Sequence, residues 1–248
     1  DALREETLLV SVMLANNEIG TVQDIAGLAA ALRGTGVPLH TDAVQAVGHI
    51  PVDVHALGVA YLTASAHKFH GMKGTGFLYQ KKGAELPPLI AGGAQERGLR
   101  AGTENTAGIV ALATALAESC ALMAEEDARL RMLTAYTVEE LRKALPDLRV
   151  HGGGGAHLPG ILNVGIPHVR GEALVHLLDL RGICVSAASA CHAGADAPSH
   201  VLRAMGYDDG AAMEALRISY GRGNTMEDAA AIVREIVRAV EKIRTLRD

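Results

Sequence analysis

Short apolar runs alternate with helical stripes over the first hundred residues. Residues 8–14 (Leu-Leu-Val-Ser-Val-Met-Leu) form a run rich in strand formers. After Thr21-Val-Gln-Asp, the apolar positions Ile25, Leu28, Ala29 and Leu32 recur at helical spacing until Gly34. This pattern predicts a strand followed by a helix. Residues 37–41, 59–63 and 76–80 read as further short strands, separated by glycine-rich or polar turns. Apolar strands alternating with helices predict an α/β layer architecture with a mainly parallel sheet.

From about Thr106 to Leu145 the pattern becomes a long, alanine-rich helical periodicity, broken by Pro146. A boundary near residue 122 therefore divides the chain into two domains, 1–122 and 123–248. The second half predicts strands at 161–166, 183–187 and 215–220, and helices at 171–180, just after Pro198, and at 226–246. That is an α+β order. Residues 152–155, four glycines, are the one low-complexity stretch; without a following Lys-Ser/Thr they read as a turn rather than a phosphate loop.

Composition narrows the function classes. The 248 residues suit one large or two modest domains, and 49% hydrophobic with 21% charged residues is a globular balance. A net charge of −5, with no basic block and no interleaved aromatics, argues against nucleic acid as a partner. No uninterrupted apolar run reaches the ~18 residues of a membrane span. Cys120, Cys184 and Cys191 form no CxxC pair and no disulfide spacing, which points to a reducing, cytoplasmic setting. The chain starts Asp1-Ala-Leu-Arg with neither an initiator methionine nor a leader pattern, so it is expected to be a fragment or a processed product.

Ser65-Ala-His67-Lys68-Phe-His70-Gly follows one predicted strand and precedes another. A lysine leaving a strand end among small residues is a candidate Schiff-base lysine, with a plain surface lysine as the alternative. His67 and His70 have no third ligand at a recognisable spacing, so no metal site is expected. Asp42 ends another predicted strand one β-unit earlier. A pyridoxal-phosphate enzyme needs such a carboxylate against the ring nitrogen, although a strand-end Asp also serves as a helix N-cap. Gln45 stands where it can donate to the ring oxygen. Cys191 lies in a run of small residues, 186–199, between a strand and a helix, where it is either an exposed nucleophile or a small buried side chain. Cys184 and Cys120 are expected to be buried.

Five motifs in order, Asn16-Asn17-Glu18-Ile19-Gly20, His40-Thr-Asp42-Ala-Val-Gln45, Ser65-Ala-His67-Lys68, Gln95-Glu-Arg97-Gly-Leu-Arg100-Ala-Gly-Thr103 and Ser189-Ala-Cys191, resemble the cysteine desulfurases of the class V aminotransferase branch. The resemblance runs nearly end to end. It implies the fold type I architecture of pyridoxal-phosphate (PLP) transferases: part of the large, mainly parallel-sheet domain plus a smaller C-terminal α+β domain. It also implies a homodimer with cofactor sites at the subunit boundary.

Carried over residue by residue, Lys68 matches the lysine that binds the cofactor and Asp42 the partner of the pyridine nitrogen. Gln45 and Asn17 match polar contacts near the ring oxygen and substrate. Ser65 and His67 match groups holding the phosphate, with His67 also among the catalytic candidates. Thr103 matches a residue reaching the phosphate of the other subunit. Arg217, in Leu216-Arg-Ile-Ser, matches the clamp for the substrate carboxylate, a task suited to a planar, bidentate donor. Cys191 matches the residue that takes sulfur from L-cysteine as a persulfide. The chain departs from the pattern at His192, where many relatives carry Thr or Ser, and at Ala188, where glycine is frequent.

The implied activity yields L-alanine and a persulfide, for an iron–sulfur scaffold or tRNA thiolation factor to accept. Alternatives are a selenocysteine lyase using the same residues, an inactive interaction module, and, least supported, a Cys-His hydrolase. The chain by itself is expected to bind PLP weakly, to aggregate or depend on a partner chain, and to be inactive.

Overall fold

In this computed structural model, residues 2–187 and 197–246 are described. They gather into two compact units. The first comprises Asp1–Ala15 with Gln23–Met123, and the second Asn16–Val22 with Ala124–Asp248.

The first unit is built on strands β1 (Val10–Met13), β2 (Leu39–Asp42), β3 (Tyr61–Ser65) and β4 (Gly76–Gln80), with helices α1 (Ile25–Ala31) and α2 (Val54–Leu57). The sheet order is β1-β2-β3-β4; the first three strands run parallel and β4 pairs antiparallel with β3. The predicted α/β architecture with a mainly parallel sheet is therefore present. Caps set the helix starts. Asp24 accepts from the Gly27 amide at 2.8 Å, and Asp53 accepts from the His55 and Ala56 amides. Hydrogen bonds from those two amides hold the Asp53 carboxyl below the usual range. Leu39, Leu62, Ala64 and Phe69 are buried, so the central strands carry the apolar interior.

Helix α3 (Thr106–Ala144) belongs to the first unit as far as Met123 and to the second from Ala124. By length and composition it could cross a bilayer, with a mean hydropathy of 1.8 over its most apolar window. Glu118 and Ser119 interrupt its apolar sequence, and the Ser119 hydroxyl donates to the Phe69 carbonyl at 3.2 Å within the first unit.

The second unit holds an antiparallel sheet ordered β5 (Arg149–His151), β6 (Ile161–Gly165) and β7 (Ala215–Ser219). With it go helices α4 (Gly171–Asp179), α5 (His200–Ala204), α6 (Asp209–Met213) and α7 (Met226–Thr245). Leu133, Val164, Leu174, Leu216, Ile218 and Ile236 lie in its buried core. Helix α7 opens on a capping box, in which Thr225 and Asp228 satisfy each other's amides.

Three expectations need correction. The strand predicted at 183–187 is a single bridge, Ser186 to Arg217, closed by bonds of 3.1 and 2.6 Å. The Ile183 amide still bonds the Leu178 carbonyl at the end of α4, so the chain is not extended early enough to form a ladder. Cys120, within α3, and Cys184, in the link after α4, are both exposed, not buried. Strand β5 and helices α2 and α6 were not anticipated; each is too short to show a period.

Candidate functional site

Lys68 sits in a tight 3-10 turn, Ala66–Phe69, directly after β3. The turn is pinned by its main chain. His49 Nε2 donates to the Lys68 carbonyl at 2.7 Å, and Ser119 Oγ donates to the next carbonyl, that of Phe69. Phe69 itself is fully buried, and His70 closes the turn in the left-handed region at φ 68°. Lys68 is half-buried and His67 exposed. The backbone is thus fixed while the amine retains its reach.

Asp42 ends β2, paired with Met13 on one side and Thr63 on the other. Its carboxylate accepts from the Val44 amide at 2.9 Å, but it is not the helix N-cap the sequence left open, since no helix follows: residues 44–49 form turns. Gln45 lies in this turn, half-buried, between the fully buried Ala43 and Ala46. Asp42, Gln45, Ser65, His67 and Lys68 therefore all lie at or just beyond the carboxyl ends of β2 and β3, where ligands of open α/β sheets bind. Apart from the one Asp42 bond, none of these side chains spends a hydrogen bond on another described residue. An amine, a carboxylate, an amide, a hydroxyl and an imidazole in one place suit a ligand with a carbonyl, a ring nitrogen and an anionic group. Thr103 is exposed, just after Gly102 and the unusual Gln95–Gly98 turn, in which Glu96 and Arg97 are both left-handed. Such conformations cost on the order of 1 kcal/mol each and mark a constrained segment.

A second constellation lies within the second unit. Arg217 of β7 donates from Nη1 to the Asn17 carbonyl at 3.1 Å. The turn around Asn17 is held with unusual completeness. Asn16 Oδ1 accepts from the Glu18 and Ile19 amides at 2.8 and 3.0 Å. The carbonyls of Glu18, Ile19 and Gly20 accept, in turn, from Asn163 Nδ2 at 3.1 Å, His157 Nε2 at 2.5 Å and the Leu158 amide at 2.9 Å. Four successive carbonyls, from Asn17 to Gly20, are each engaged by the second unit. The Glu18 carboxylate is buried and accepts from Ser199 Oγ at 2.5 Å; Ser199 in turn caps α5 by accepting from the Leu202 amide.

The structure thus gathers Asp42, Gln45, Ser65, His67 and Lys68 in the first unit, and Asn17 with Arg217 in the second. Cys191, with Ala188 and His192, lies outside the described residues. Glu18, His151, His157 and Asn163 were not foreseen. Glu18 was within a quoted motif, but its burial had no signal of its own.

Known proteins resemble this chain in sequence and fold. Residues 1–232 match the aminotransferase class-V family. The chain is 43% identical to a cysteine desulfurase IscS of Dictyoglomus turgidum over 99% of its own length and 62% of that protein. It is 41% identical to the IscS of Methanosarcina thermophila, over 99% of this chain and 61% of that protein. Among solved structures, a NifS-like protein superposes with a TM-score of 0.87 at 37% identity, over 97% of this chain and 63% of that one. A structure described as SspA in complex with cysteine superposes with a TM-score of 0.70 at 32% identity, over 88% and 60%. The chain spans about three-fifths of the length of the curated relatives it matches. On the extent of these matches, and with a strand-end lysine and carboxylate on a mainly parallel sheet, the chain belongs to the class-V aminotransferase family.

Proposed function

We propose that the protein is a PLP-dependent cysteine desulfurase, which converts L-cysteine to L-alanine and leaves the sulfur as a persulfide on Cys191. The observation that carries this reading is the pinned turn of Lys68 beside the strand end of Asp42, in a chain about 40% identical to named desulfurases.

The donor set fits the cofactor. Lys68 Nζ would hold it covalently, Asp42 would pair with the ring nitrogen, Gln45 would reach the ring oxygen, and Ser65 and His67 would hold the phosphate. Thr103 would serve the phosphate of a partner subunit in a homodimer. When bound, the cofactor supplies an electron sink for the bond broken at Cα.

The protein's own residues do the rest. Arg217 takes the substrate carboxylate with a planar donor, and Asn17 contributes polar contact beside it. Lys68, once released as a free amine, removes the proton from the substrate Cα. Its fixed main chain favours this, since only the side chain has to move. The Cys191 thiolate then attacks the substrate Sγ, the Cβ–Sγ bond breaks, and the carbon fragment leaves as alanine after reprotonation. The persulfide passes to an acceptor protein, an iron–sulfur scaffold or a tRNA thiolation factor. The unpaired thiols of Cys120 and Cys184 support a cytoplasmic setting.

The test is borohydride trapping of the full-length enzyme, followed by peptide mapping. A reduced cofactor adduct on the peptide carrying Lys68 is expected; an adduct elsewhere, or none, defeats the reading.

A further inference from the structure

The small sheet of the second unit carries a polar row across all three strands. His151 of β5 stands opposite Asn163 of β6, and Asn163 opposite Arg217 of β7. Directly paired residues share one face of a sheet. On the other face, Leu162, Val164, Leu216 and Ile218 are buried in the apolar core. His151 and Asn163 are 1% and 2% exposed. Polar groups so deeply buried cost free energy unless bonded, so their partners reveal their role.

Asn163 Nδ2 donates to the Glu18 carbonyl at 3.1 Å, and a carbonyl only accepts. Asn163 Oδ1 therefore faces His151 Nδ1, 2.7 Å away, and the proton between them belongs to Nδ1. His151 Nε2 is left as a bare acceptor, with no hydrogen-bond partner among the described residues. Burial, and secondarily the charge of Arg149, hold the imidazole below its usual pKa against the opposing pull of Asn163, which favours the neutral ring this geometry needs. Gly165 makes room for it: a Cβ there would lie 2.9 Å from His151 Cε1.

The row ends on Arg217, whose Nη1 bonds the Asn17 carbonyl, adjacent in the chain to the carbonyl held by Asn163. Neighbouring members of the row thus grip neighbouring carbonyls of one turn. Without the Nδ1–H of His151, the Asn163 amide loses one of its two anchors and its buried Oδ1 loses its donor. The side chain is then free to shift, and the turn that receives the guanidinium would shift with it.

We propose that His151 and Asn163 are positioning residues for Arg217: His151 sets the orientation of the Asn163 amide, and Asn163 sets the turn against which the Arg217 guanidinium rests. Neither touches substrate. The inference rests on the reading of Arg217 as the carboxylate clamp.

The test uses the full-length holoenzyme. His151→Leu removes the donor but keeps apolar volume, while His151→Asn offers an N–H near the place of Nδ1. Each variant is assayed for KM and kcat with L-cysteine, for melting temperature, and for calorimetric affinity toward mercaptopropionate. That probe has the carboxylate and thiol but no amine, so it reports carboxylate capture without reaction. His151→Leu is expected to raise KM and the probe's Kd about fivefold, roughly the worth of one neutral hydrogen bond, with kcat within about twofold. His151→Asn is expected to bring both back to within about twofold of the parent. A merely structural role would lower melting temperature without separating KM from kcat.

Parental KM and Kd in His151→Leu overturn the proposal, as does a folded His151→Asn enzyme as impaired as His151→Leu. Should His151→Leu not fold, Asn163→Ser carries the same expectation and the same overturning result. Arg217→Lys tests the underlying reading. If it leaves KM and Kd unchanged, the clamp itself is refuted; if it weakens both while His151→Leu does not, only the positioning role falls.

Discussion

His49 donates its Nε2–H to the main-chain carbonyl of Lys68, 19 residues further on, at 2.7 Å. The residue proposed to carry the cofactor is thereby anchored through its backbone, which does not change when the side chain is cut back. Lys68→Ala is therefore expected to fold as the parent does and to lose both the borohydride-reducible adduct and all turnover. Absorbance and reduction of the full-length variant check this. Lys73 is the nearest rival, and an adduct that survives Lys68→Ala but not Lys73→Ala would transfer the role to it.

On the proposed function, Cys191→Ser is expected to separate cofactor chemistry from sulfur transfer. Cofactor binding and exchange of the substrate Cα proton with deuterium should persist, while persulfide formation stops and alanine release from cysteine falls by at least about 100-fold. Alanine released at the parental rate without added thiol would move the acceptor role to another sulfur, with the exposed Cys184 the first to examine.

Tyr220 predicts a loss of stability in alkali. Its hydroxyl lies 2.7 Å from Thr137 Oγ1, which already donates to the Leu133 carbonyl, so Tyr220 is the donor of the pair. Burial raises its pKa to about 12. A raised folded-state value means that the contribution is complete below the unfolded value near 10 and is lost as pH climbs from there toward 12. Denaturation of the full-length protein should lose on the order of 2 kcal/mol over this interval. Tyr220→Phe should flatten that slope, and an unchanged slope would refute the assignment.

His151 acts at the other end of the scale. Burial lowers its folded-state pKa, so the unfolded chain binds a proton more readily than the folded one. The stability linked to this ring is complete above the unfolded value near 6.5 and declines as pH falls below it. Replacing His151 with Asn should reduce the acid slope measured by urea denaturation. A slope as steep as the parent's would show that other groups cause it.

The strand-turn-helix rhythm of the first hundred residues was legible because each strand is a short apolar run closed by polar or glycine-rich turns. Asp42 and Lys68 stood out because they leave strand ends. The strand expected at 183–187 failed for a local reason, as the Ile183 amide is still tied to Leu178. Asn163 and His157 were hidden for a different reason: they bond main-chain carbonyls more than a hundred residues away. A carbonyl is the same in every residue, so no side-chain pattern announces such a partner. Asn163 within Leu162-Asn163-Val164 looked only like an interruption of an apolar strand.

Residues 16–22 interrupt the first unit in sequence yet belong to the second in space. The visible seam between Met123 and Ala124 is consequently not a place where the C-terminal half can be excised whole. A polypeptide starting at Ala124 would lack the carbonyls that Arg217, Asn163, His157 and the Leu158 amide engage, and the carboxylate that Ser199 engages, losing the acceptors of five hydrogen bonds at once. During synthesis, this short stretch emerges more than a hundred residues before the groups that hold it. Closing so long a loop is entropically slow. The second unit therefore cannot reach its final form until nearly the whole chain has been made, although most of its residues are local to one another.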